Sequence, residues 1–319
     1  MTTPQIVRYG ELVPCKTAFI DAHTPGSDRK ENFTIIGGGV SESPDQHVHI
    51  ATPHGFNIGA AGQPPKCRNS LHSHRTAEVF FVLSGRWRFF WGRHGDAGEV
   101  VLEEGDIINI PTGIFRGFEN IGTDYAMIMA ILGGDDAGGG VIWAPQVIED
   151  AADHGLVLAE TGKLYDTKRG QVLPDGVAPM PLLTEAELAD YPEMTAGQVV
   201  GWGVRRYWDM VALAGERPCK VIGATGIIRD TPGFEVDLIT RASATDAPHD
   251  HDRPSVLMPI RGHWTLTWGG ADGGKTTLAP GDTASVPANL PHAVFPSMEG
   301  EAALYHVVGT DDPPGPSDL

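Results

Sequence analysis

The sequence is poor in cysteine, in basic charge and in long apolar runs. Its three cysteines, Cys15, Cys67 and Cys219, stand far apart and form no CxxC pair. That spacing excludes a disulfide framework and a cysteine zinc knuckle, and makes a reduced, cytoplasmic protein the expectation. Lys and Arg number 23 against 41 Asp and Glu, a formal net charge of -18. Nucleic acid and anionic membranes bind basic patches that neutralise phosphate, so neither is an expected partner. No run reaches the roughly 18 apolar residues that a membrane helix needs, and Met1-Thr2-Thr3-Pro4-Gln5 is neither basic nor apolar enough for a secretory leader. A small-molecule substrate remains, and an anionic one would require arginine at the site.

Helical signals are also scarce. The clearest are Ala144 to Thr161, with Pro145 near a helix start, and Thr184 to Tyr191, where Thr184 and Glu187 fit a capping box. What the chain does have is 41 Gly and 25 Pro punctuating short apolar or alternating runs, such as Val79-Phe80-Phe81-Val82-Leu83, Ile107-Ile108-Asn109-Ile110 and Trp264-Thr265-Leu266-Thr267-Trp268. That punctuation belongs to β-sandwiches and small barrels.

The chain also repeats itself. A shift of 177 residues places His72 on His249, His74 on His251, Gly85 on Gly262, Trp87 on Trp264 and Trp91 on Trp268; a shift of 176 then places Gly105-Asp106 on Gly281-Asp282, Pro111 on Pro287 and Arg116 on His292. Order and spacing together indicate one β domain written twice. The expected organisation is an arm over 1–29, a first barrel over 30–140, a linker with short helices over 141–200, a second barrel over 201–310 and a tail over 311–319. The arm is expected to pack on the body or on a neighbouring subunit.

This doubled pattern resembles the cupin superfamily, and the whole chain resembles a bicupin. The family's first motif, HxH followed by Glu and Gly, matches His72-Ser73-His74, Glu78 and Gly85; its second matches Gly105, Pro111, Gly113 and Asn120, with Arg116 in the histidine position. In the second copy His249, His251, Gly262, Gly281, Pro287 and His292 match, with Ser255 in the Glu position and Asn289 in a Gly position. The resemblance implies an all-β fold of two tandem antiparallel jelly-roll barrels with internal sites, joined by a partly helical linker.

An HxH alone says little: 13 histidines in this length give about half a pair by chance. His47-Val48-His49, with no partner motif downstream, is accordingly read as surface or core histidine. His249, His251 and His292 differ, because neutral imidazoles on adjacent strands make a three-nitrogen site with open positions. Strand parity turns Arg253 and Ser255 to the same face and Asp250 and Asp252 outward. Ser255 is then a hydrogen-bonding neighbour of the metal's ligands or of substrate, and Arg253 a candidate for a substrate carboxylate.

In the first copy His72, His74 and Glu78 form a two-histidine, one-carboxylate set. Arg116 either pairs with Glu78 and closes a metal-free barrel or clamps a substrate carboxylate beside a metal. The alternating stripes Trp87, Phe89, Trp91 and Trp264, Leu266, Trp268 are read as barrel or subunit-interface packing. Gly138-Gly139-Gly140 lacks the spacing and the lysine of a phosphate loop.

The resemblance implies a divalent metal, Fe(II) first, with Mn, Ni, Zn or Cu as other candidates. It also implies a homo-oligomer, dimer or tetramer. The expected activity is that of a metal-dependent oxygenase similar to gentisate and salicylate dioxygenases or quercetinases, acting on a hydroxy-aromatic acid or enolisable compound. The alternatives are a metal-dependent lyase or isomerase on a keto or sugar acid, and a non-catalytic bicupin that binds a small ligand.

Overall fold

A computed structural model describes residues 3–43, 45–135 and 140–311. Gly138 and Gly139 of the glycine run and the tail from 312 onward lie outside the described residues. Two β-barrels follow one another. In the first, a seven-stranded sheet has the order Val204–Arg205, Ile107–Ile110, Glu78–Ser84, Ala126–Gly133, Phe56–Gln63, Glu31–Ile36, Val48–Ile50. It faces a five-stranded sheet ordered Val141–Trp143, Arg68–His74, Arg116–Asn120, Trp87–Trp91, Gly98–Leu102.

In the second barrel the sheets are Gln5–Val7, Thr283–Val286, Ser255–Arg261, Ala303–Gly309, Phe234–Thr240, Cys219–Gly223, Ile228–Arg229 and Thr245–His249, His292–Pro296, Trp264–Trp268, Gly274–Leu278. Pairing is antiparallel apart from the short outermost pairs of 34–36 with 48–50 and of 222–223 with 228–229.

The continuous apolar run Val79 to Val82 has a simple cause: both of its faces are buried. Phe80 and Val82 point into the first barrel's interior, whereas Val79 and Phe81 join the core between the two large sheets. There Phe81 meets Tyr305 of the second barrel at 4.6 Å between ring centroids. The tryptophan stripes are used in packing too. Trp87, Phe89, Trp91, Trp264 and Leu266 are all within 1% of complete burial inside their own barrels, so they are unavailable to a subunit interface.

The helical segment is more broken than the sequence suggests. Helix α1 covers only Pro145–Asp153 before the chain turns into the strand Leu156–Leu158. Helix α2, Glu185–Leu188, carries the expected Thr184/Glu187 capping box. Two further helices were not anticipated: α3, Ala196–Gly203, with a capping box from Thr195 and Gln198, and α4, Tyr207–Ala214.

The barrels exchange strands. Gln5–Val7, within the expected arm, pairs with Thr283–Val286 of the second barrel, and Val204–Arg205 returns to pair with Ile107–Ile110 of the first. Each exchanged strand ends in the same clamp. Arg8 donates to Asp282 at 2.7 Å and the Tyr9 amide to the other oxygen of that carboxylate at 2.9 Å; Arg206 and Tyr207 do the same to Asp106 at 2.6 and 2.9 Å. The turn glycines Gly105 and Gly281 have φ of 85° and 87°, and a Cβ on either would lie 2.5 Å from the ring of Tyr207 or Tyr9. Only glycine satisfies both conditions there.

Candidate metal centres

In the second barrel, His249 ends its strand and pairs in register with His292, while His251 lies just beyond. One ligand atom from each of the three lies within 4.8 Å of the others. His292 Nδ1 is 2.9 Å from the Leu290 carbonyl. A carbonyl only accepts, so Nδ1 carries the proton and Nε2 the lone pair. Among the described residues, Nε2 of His292 and of His251 have no hydrogen-bond partner. Burial holds both imidazoles below their usual pKa, keeping them neutral, with repulsion from His249 adding to the effect at each. Buried, unpartnered nitrogen lone pairs converging on one point fit a divalent cation. Asp250 and Asp252 are exposed.

The other two predicted residues part company. Ser255 is 1% exposed and its Oγ has no partner among the described residues, consistent with a place beside the site. Arg253 departs from prediction: its guanidinium pairs with Asp311 and reaches the Thr310 carbonyl at 3.4 Å. The regular strand stops at His249, so the alternation that aimed Arg253 at the histidines no longer applies four residues later. A residue not anticipated takes a place near them instead. His306, 5% exposed, sits with its ring 4.9 Å from that of His251 and its Nε2 unpartnered among the described residues. Burial, with the neighbouring imidazoles and Lys220, holds it well below the usual imidazole range.

The first barrel places Arg116 where the second has His292: Arg116 pairs in register with His72 and Trp91, as His292 does with His249 and Trp268. His72, His74 and Glu78 offer a second set of ligand atoms within 4.8 Å of one another. Nδ1 of His72 and His74 face the Ser70 and Gly140 carbonyls at 2.7 and 3.3 Å. Burial and then the Arg116 charge hold both histidines well below the usual range.

Arg116 Nε donates to Glu78 Oε2 at 3.1 Å and Nη2 bonds to the same oxygen. The pair therefore engages one carboxylate oxygen, and Glu78 Oε1 stays 3.7 Å from His74 Nε2. All four residues are at most 5% exposed. They adjoin a cavity of about 70 Å³ lined by Phe33, Phe80, Phe118 and Trp143 among others, room for about two waters at the ~30 Å³ each occupies in the liquid. His47 and His49 lie elsewhere, His47 exposed and His49 bonded to the Thr34 carbonyl at 2.8 Å.

A cupin domain matches residues 62–132, the stretch that runs through these first-barrel residues. The fold is that of a bicupin. Oxalate decarboxylase of Lactobacillus farciminis, in a formate complex, is similar at a TM-score of 0.56 and 10% identity, over 98% of this chain and 87% of that one. A variant of Bacillus subtilis oxalate decarboxylase is similar at 0.55 and 15% identity, over 96% and 77%. At such identities the likeness concerns the bicupin fold. No curated protein matches the sequence. Among the described residues no helix is long and apolar enough to cross a membrane.

Proposed function

We propose that this bicupin is a divalent-metal-dependent lyase or isomerase acting on a small keto or sugar acid, with its metal held by His249, His251 and His292. The convergence of these three imidazoles within 4.8 Å carries the reading. A cation there would act as a Lewis acid on negative charge developing at a substrate oxygen. Burial keeps His251 and His292 neutral, the Leu290 carbonyl fixes the tautomer of His292, Ser255 Oγ is buried and free to bond among the described residues, and the partial exposure of His249 and His251 leaves a way in from solvent. Three imidazoles suit Fe, Mn, Ni, Cu or Zn.

In the first barrel the neutral sum of Arg116 and Glu78 would become an uncompensated double positive charge if a metal entered a nearly dry site. That cost favours a metal-free first barrel closed by the ion pair. Support for a lyase over the expected oxygenase comes from the structural neighbours, which are decarboxylases. Oxalate itself is a weaker candidate, since neither barrel has the complete His-His-Glu-His set that the resemblance associates with such sites.

The test is turnover of a keto- and sugar-acid panel by metal-loaded protein under argon and under air. Product formed under argon and abolished by a chelator supports the reading. Turnover that requires oxygen restores the oxygenase, and metal-free protein that still binds a ligand restores the non-catalytic bicupin.

A further inference from the structure

The interiors of the two barrels diverge along one row that crosses the large sheet. In the first barrel Thr34, Gly59 and Ala130 stand side by side on adjacent strands and line the apolar cavity. In the second, Lys220 pairs in register with Asp237 and Asp237 with His306. Directly opposed residues share a face, and His306 shares its face with Leu257 of the barrel's interior core. Glu235, two residues from Asp237, is on that face as well.

Lys220 Nζ bonds to Glu235 and lies 3.9 Å from Asp237 Oδ2. The three charged side chains keep 21–34% of their surface exposed, whereas His306 is buried with Nε2 unpartnered among the described residues and its ring against His251. Burial pushes the Asp237 carboxyl up to about 6, the Lys220 charge opposing the rise and Glu235 adding to it. At the usual strand spacing the row from Lys220 to His306 spans about 10 Å, ending at the proposed metal ligands.

Two carboxylates and one ammonium, all partly wet, make a wall of hydrogen-bond acceptors and donors. A flat apolar ring laid against it would strip its water and return nothing, whereas hydroxyl groups both donate and accept. We propose that Lys220, Glu235 and Asp237 bind the hydroxylated chain of an aliphatic sugar acid whose carboxylate end faces His249, His251 and His292. This rests on the metal assignment above and narrows its substrate class, against a hydroxy-aromatic acid.

The test is calorimetric titration of the metal-loaded full chain with gluconate, glycolate and salicylate. Gluconate and glycolate share the 2-hydroxy-carboxylate head, and only gluconate has the hydroxylated tail. Gluconate is expected to bind at least about tenfold more tightly than the other two. Glu235→Gln with Asp237→Asn should bring gluconate to the glycolate Kd, with glycolate binding and metal content unchanged. Should that double variant fail to fold, Lys220→Met must lower the gluconate preference at least about threefold.

Equal affinity for gluconate and glycolate, tighter binding of salicylate, or a gluconate preference that survives these substitutions overturns the proposal. Loss of metal dependence for all three ligands overturns the metal assignment instead, because the wall is read as a ratio at fixed metal content.

Discussion

The two barrels start from one plan and spend their interiors differently. The first fills its histidine position with Arg116, ties that cation to Glu78, and leaves a small apolar cavity beside two buried neutral imidazoles. The second keeps His292, gives up the carboxylate for Ser255, adds His306, and lines the neighbouring wall with charge. A single position thus distinguishes an ion pair that satisfies itself from a set of imidazole nitrogens left without a partner among the described residues. Burial alone does not make an open ligand set, since the more deeply buried cluster is the one with an internal partner.

Metal content breaks or upholds this contrast most directly. His292→Ala should reduce bound metal from about one ion per chain to under about a tenth, because it deletes one of three ligands; His72→Ala should leave it unchanged. Elemental analysis of both variants decides, and equal losses would show that Arg116 does not close the first barrel. Arg116→His sharpens the contrast from the other side: with His72, His74 and Glu78 it completes a four-ligand set, and a second equivalent of metal should appear.

Stability gives the next largest effect. Arg116→Ala strands Glu78 in a nearly dry interior and should cost about 3–5 kcal/mol in urea denaturation. The double change Arg116→Met with Glu78→Gln should recover most of it, and full additivity of the two would contradict the pair.

Acid should act on both barrels. In the metal-free chain His72, His74 and His306 are held neutral well below the usual 6.5. Unfolding releases them to protonate near 6.5, so below that pH the unfolded state binds more protons and stability falls as pH drops from 6.5 toward the folded values. Urea midpoints measured across that window should show the loss, and His306→Leu should leave most of the slope, since His54, His72, His74, His251 and His292 are also held below the usual range.

The smallest effect tests the symmetry of the clamps. Arg8→Ala and Arg206→Ala should each cost no more than about 1 kcal/mol, given that both guanidinium side chains are 36–45% exposed. Unequal costs would show that the exchanged strands are not equivalent.

The duplicated histidines, the turn glycines and the substitution of Arg116 were all legible in the sequence, because motif spacing survives where strand register does. His306 was not legible: its counterpart is Ala130, so the repeat that exposed the other histidines had nothing to align with it. The matching Arg8-Tyr9 and Arg206-Tyr207 pairs are separated by 198 residues, outside the shift of 176–177 that revealed the barrels. Arg253 was misplaced because period-two parity holds only while the strand lasts, and this one ends at His249. The charged wall escaped notice because Lys220, Glu235 and Asp237 alternate with apolar residues as any half-exposed strand would.

The exchanged strands also set an order of events during synthesis. Gln5 pairs with Ser285, a partner made 280 residues later, which at 5–20 residues per second means a wait of about 14–56 s. The first barrel's own borrowed strand, Val204–Arg205, emerges much sooner after Ile107–Ile110. Through that interval the 5–7 segment is an unpaired edge on a nascent chain, and a crowded ribosome presents it with the same docking groove on a neighbouring copy. A swapped dimer, closed by trading these segments, is a misassembly that this order of synthesis allows, and the Arg8 and Tyr9 clamp on Asp282 would form across it as it forms within one chain.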